Sequence, residues 1–89
     1  MYTSHMRTLS ELGQAVSARR RMAGLSQRYV AERSGITREL LVRFERGKLS
    51  DFGSRKLLAV LTVLDLEINF NEIGLAGTLD ELRRERSGA

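Results

Sequence analysis

The sequence predicts an all-α bundle of four to five helices, followed by one short β-strand that pairs across a homodimer. Three observations lead there. Apolar residues recur at helical spacing in four segments, each opened by a Ser or Thr able to cap it. One later segment, residues 66–70, alternates apolar and polar residues instead, and no second strand candidate exists in the chain. The chain of 89 residues suffices for one hydrophobic core, not two.

Residues 1–8 (MYTSHMRT) have no periodicity and read as a flexible arm. Ser4-His5-Met6 also has the look of a cloning remnant, and Arg7 is suited to gripping a phosphate backbone. A domain over residues 9–65 follows. Its first helix is expected to begin near Ser10, whose hydroxyl can cap it, with Glu11 favoured by the positive helix end. Leu9, Leu12, Val16 and Met22 or Ala23 form its inner face, and Gly24 ends it. Ser26 caps a second helix, residues 27–33, with Val30 and Ala31 inward; Gly35 breaks it. Thr37 caps a third helix running to about Arg46, with Leu41 and Phe44 inward and Gly47 at its end. Residues 48–53 form a loop too short to supply a clear extra helix. Ser54 caps a fourth helix to roughly Leu64, whose apolar residues (Leu57, Leu58, Ala59, Val60, Leu61, Val63, Leu64) exceed what one face needs. A helix apolar nearly all round must be covered on two sides, and in a chain this short the second cover is a second copy.

Leu66, Ile68 and Phe70 then alternate with Glu67, Asn69 and Asn71, marking a strand over residues 66–73. A lone strand leaves its backbone donors and acceptors unpaired. Its simplest partner is the same strand of another subunit, in a two-fold dimer held by Leu64, Leu66, Ile68 and Phe70. Residues 74–89 form a tail, in which Thr78 and Glu81 sit at capping-box spacing for a short helix to about Arg86.

Composition removes several functions. There is no cysteine, the single histidine (His5) lies in the arm, and no carboxylate cluster or glycine-rich loop after a strand occurs. The sequence therefore predicts no enzyme, no cofactor and no metal. No apolar run approaches the roughly 20 residues of a membrane span, and no signal peptide precedes the first helix; the expected location is the cytoplasm. The charge is uneven. Residues 1–50 carry ten Lys/Arg against four Asp/Glu, and residues 51–89 carry five against seven. The basic half suggests a polyanion-facing surface, and the acidic remainder suits a basic partner, though weakly.

The informative stretch is QRYVAERSGITRELLVRFER, residues 27–46. Two short helices joined by a tight turn at Gly35 make a helix-turn-helix. Ala31 is small where the helices cross, and the glycine falls four residues later, where the turn needs a permissive backbone. Val30, Ile36, Leu41 and Phe44 lock the two helices at a fixed angle. The third helix is left protruding, free to enter a DNA major groove about 12 Å wide.

GLSQ at 24–27, VAERSGI at 30–36 and LVRFERGK at 41–48 resemble the Cro/repressor class of helix-turn-helix domains, from about residue 12 to residue 64. The resemblance implies a lambda-repressor-like bundle and a double-stranded DNA partner. By position it gives Gln27 a phosphate contact and a supporting role for the third helix, and gives Thr37 a phosphate contact at that helix's amino terminus. Arg38 and Glu39 match the first base-reading positions and Arg43 a later one, while Arg46 and Lys48 suit phosphates. Val42 departs from the serine often found there and can touch a thymine methyl group. The resemblance also implies a structural ion pair between Arg20 and Glu45. Duller readings stand beside these: Arg38, Glu39 and Arg43 as a solvated face with a Glu39–Arg43 pair, Leu40 as core, Arg19 and Arg21 as solvated.

The alternating segment after the fourth helix is similar to the strand of HipB-type antitoxins, in which the strands of two subunits pair and the flanking surface holds a HipA-type kinase toxin. This implies a homodimeric autorepressor on a palindromic operator, with a HipA-like toxin as its protein partner. A regulator of the same class without a toxin, and an interaction module that no longer binds DNA, are the alternatives.

Overall fold

The computed structural model describes residues 7–70 and 72. It holds four helices, α1 (Leu9–Met22), α2 (Gln27–Ser34), α3 (Arg38–Glu45) and α4 (Ser54–Val63). α1 packs on α3, while α2 packs on both α3 and α4. Between them lies one core of Val16, Val30, Ala31, Leu41, Phe44, Val60, Leu61 and Leu64.

α1 starts one residue earlier than expected. Its cap is Thr8, not Ser10: the Thr8 hydroxyl accepts from the Glu11 amide at 3.1 Å and donates to the Glu11 carboxylate at 3.1 Å. Thr8 therefore belongs to the domain and not to the arm. The inner face of α1 is Gly13, Val16 and Arg20. Met22, two residues past Arg20 and so turned by about 200°, is 75% exposed, and Ala23 is exposed too. Gly13 brings α1 close to α3, since a Cβ there would run into the carbonyl oxygen of Phe44.

The turn between α2 and α3 is made by Gly35 at φ 71, ψ 28, a left-handed backbone that L side chains resist. The Ile36 amide donates back to the Ala31 carbonyl at 3.0 Å, closing a Schellman-type end. α1 and α3 end likewise, through Leu25 to Arg20 at 3.1 Å and Lys48 to Arg43 at 2.9 Å. α4 closes the same way, Leu66 to Leu61 at 2.8 Å, but over Asp65 at φ 58 instead of a glycine. Ser26 and Thr37 cap α2 and α3, accepting from the amides of Tyr29 at 3.0 Å and Leu40 at 3.1 Å. Ser54 is the first residue of α4 instead of its cap; Gly53 holds that place, with no side-chain bond.

The loop from Lys48 to Gly53 contains no helix, which leaves four. It contributes to the core all the same. Leu49 and Phe52 pack against it, and the Phe52 ring stacks on Phe44 with centroids 4.4 Å apart.

Leu64 ends α4 and turns inward. At 2% exposed it is a core residue of the single chain. Its carbonyl accepts from Arg19 Nε at 3.2 Å, so Arg19 closes the end of α4 and is not simply solvated. Leu66 packs against the core, while Ile68 and Phe70 are exposed, Phe70 at 96%. Residues 66–70 show neither helix nor strand pairing within the chain. Residues 1–6 of the expected arm, the last residues of the expected strand and the short helix beginning near Thr78 lie outside the described residues.

Candidate nucleic-acid interface

α3 turns Leu41, Phe44 and Glu45 inward and leaves Arg38, Glu39, Val42 and Arg43 on the opposite side. The three charged residues are exposed and Val42 is half-buried. Among the described residues none of the three makes a salt bridge, so the Glu39–Arg43 pair does not form and the groups remain available to a ligand. Arg38, Glu39, Val42 and Arg43 line one shallow depression. A second runs along the turn and is lined by Gly35, Ile36, Thr37, Glu39, Leu40, Arg43 and Lys56. Leu40 is thus half-buried at the rim of the groove, between the two roles open to it.

Lys56 was not singled out from the sequence. It lies in the first turn of α4 and reaches this surface only through the packing of α4 on α2. The adjacent pair Arg55-Lys56 is the one sequence signal, and nothing in its spacing relates it to α3.

The remaining expected contacts divide. Arg46 caps the carboxyl end of α3, and Lys48 is exposed just beyond Gly47, so both flank the protruding helix. Thr37 stands at the amino end of α3 with its hydroxyl accepting from Leu40. Gln27 is directed inward: its amide donates to Glu45 Oε1 at 3.1 Å.

That contact belongs to a buried polar cluster. Arg20 donates twice to Glu45, Nε to Oε2 at 2.8 Å and Nη2 to Oε1 at 2.9 Å, and Nη1 donates to the Leu25 carbonyl at 2.9 Å. The two-pronged geometry fixes the planes of both side chains. It ties α3 to α1 and to the turn before α2. Burial by itself pushes the Glu45 carboxyl up, but donation from Arg20 and Gln27 outweighs it, and the group titrates below the usual range. The hydrogen bond to Glu45 raises Arg20 in turn, so both stay charged. Among the described residues no group of His, Cys, Asp and Glu is placed to hold a metal ion, and no helix is long and apolar enough to cross a membrane.

A helix-turn-helix domain family matches residues 2–71 of the chain. No curated protein matches it in sequence. Among solved structures, the clp gene regulator ClgR from Corynebacterium glutamicum is 26% identical with a TM-score of 0.65, over 72% of this chain and 67% of that one. Chains of a HipA–HipB–O2–O3 complex and of a HipB–O4 20mer complex superpose with a TM-score of 0.70, covering 79% of this chain and 97% of theirs. At 18% identity these two show the shared fold alone.

Proposed function

The chain belongs to the helix-turn-helix domain family, and from that premise we propose that it is a sequence-specific DNA-binding transcriptional repressor, the antitoxin of a HipA/HipB-like pair. In this reading it binds a palindromic operator as a homodimer in the cytoplasm and neutralises a kinase toxin. The observation that carries the DNA-binding part is the face of α3, where Arg38, Glu39 and Arg43 stand exposed around Val42 without salt-bridge partners among the described residues. Arg38 or Arg43 can grip guanine O6 and N7 together, and Glu39 can accept from a cytosine amino group, each worth about 1–3 kcal/mol of discrimination. Arg46, Lys48 and the amino end of α3 at Thr37 serve phosphates and supply the salt-sensitive part of the affinity. Gln27, spent on Glu45, supports α3 from behind, and Lys56 joins the phosphate set. The Arg20–Glu45 contact keeps α3 in place before DNA arrives, so little ordering is left to oppose binding.

The antitoxin part rests on the likeness to the HipB complexes over nearly their whole length, and on the alternating residues 66–70. A regulator without a toxin is the second reading, favoured by the higher identity to ClgR, itself a clp gene regulator. Footprinting on the DNA upstream of the protein's own gene tests the first part. A protected palindrome is expected, with Arg43→Ala weakening binding by about 10-fold or more and relaxing preference at one base pair. Equal weakening on all sequences makes Arg43 a phosphate contact, and no protected site removes the repressor reading. Stoichiometric co-purification of a kinase from the host tests the second part, and its absence leaves the plain regulator.

A further inference from the structure

The depression framed by Arg38, Glu39 and Arg43 has a mainly apolar lining, with half-buried Val42 within it. In the major groove an apolar spot on a base-reading face has one natural ligand, the C5-methyl group of a pyrimidine. Two bases carry that methyl, thymine and 5-methylcytosine, and they differ at C4. Thymine presents an oxygen acceptor there, and 5-methylcytosine presents an amino donor. Glu39 lines the same depression, and a carboxylate only accepts. It repels the thymine oxygen and accepts a hydrogen bond from the amino group. The two arginines supply the donors that a guanine O6 and N7 need.

Resting on the DNA-reading function proposed above, we propose that this depression is a seat for 5-methylcytosine beside a guanine. Val42 takes the methyl group, Glu39 the amino group, and Arg38 or Arg43 the guanine. Methylation of that cytosine strengthens operator binding, so the protein's occupancy of its operator responds to the methylation state of the DNA. One methyl group moved from water into apolar contact changes affinity about fourfold, and the effect enters once per half-site.

The test uses the full chain and an operator duplex obtained by selection, with binding followed by fluorescence anisotropy. Each cytosine is replaced in turn by 5-methylcytosine, symmetrically in both half-sites. A gain of about fourfold per half-site at one position is expected, and it disappears in Val42→Ala, whose helix content is checked by circular dichroism. A parallel series replaces each thymine by deoxyuridine. A loss there, with no gain at any cytosine, assigns Val42 to a thymine and overturns the proposal. Affinity indifferent to both series also overturns it. Absence of any sequence-preferring complex overturns the DNA-binding reading and the seat with it, a result distinct from a complex that ignores methylation.

Discussion

Glu45 carries a charge into the side of α3 that faces the core, and two neighbours meet it: Arg20 and Gln27. A carboxylate titrating lower in the folded state than in the unfolded one contributes stability that is full above its ordinary value. That contribution is lost as the pH falls through the folded value. The Glu45→Gln variant leaves Arg20 without its counter-charge, and at neutral pH it is expected to lose about 3 kcal/mol in urea unfolding. The gap to the parent protein should close as the pH is lowered below 4.5, the ordinary value for the group. A gap unchanged down to pH 3 contradicts the electrostatic account. At this scale the sequence is hardest to read. Arg20 and Glu45 lie 25 positions apart, and helical periodicity treats a charged residue as solvated. Only the family resemblance pointed to the pair. Lys56 and Arg19 escaped for the same reason, since the groups they approach belong to other elements.

At the scale of elements, the four helices were legible to within a residue or two because local chemistry marks their ends. Caps at Ser26 and Thr37 and left-handed glycines at 24, 35 and 47 act within a few residues of themselves. Thr8 and Ser10 are equally able caps, and only the bond to Glu11 decides between them. Phe52 was not legible, because a loop has no period to reveal which side chain turns inward. Gly13 was missed because a glycine inside a helix reads only as a weakness. Replacing it with alanine gains up to about 1 kcal/mol in helix propensity. The added Cβ, however, meets the backbone oxygen of Phe44, which cannot rotate away. Overpacking of that kind costs about 1–3 kcal/mol, so Gly13→Ala is expected to be destabilised on balance in thermal or urea unfolding. Gly53→Ala, where the new Cβ meets nothing within 4 Å, is the comparison and should lose only the few tenths to about 1 kcal/mol by which alanine is a poorer N-cap than glycine. Equal behaviour of the two variants would remove the close approach of α1 to α3 as the reason for the glycine.

For the whole molecule, large apolar side chains are exposed on three helices and after them: Met22 at 75%, Tyr29 at 41%, Leu58 at 50%, Ile68 at 49% and Phe70 at 96%, the last three on α4 and beyond it. Leu58, Ile68 and Phe70 support the proposed association of two copies through the end of α4 and residues 66–70. Phe70→Asp places a charge on that surface and should shift the protein toward monomer in sedimentation measurements, with its helix content unchanged. A variant that stays fully dimeric rules out the strand pairing. In the proposed dimer, association and DNA reading are linked, because a two-fold protein presents two α3 helices to half-sites about 34 Å apart. The bundle could be anticipated from one chain, whereas the proposed pairing between chains has only a short alternating run as its trace in the sequence. The most direct measurement is selection of bound sequences from random duplex DNA by the full chain, with affinity followed against salt. The account predicts one two-fold symmetric site, half-sites about one helical turn apart, and an affinity that falls steeply as salt rises. Recovery of no enriched sequence, with binding equally weak on every duplex, would contradict it.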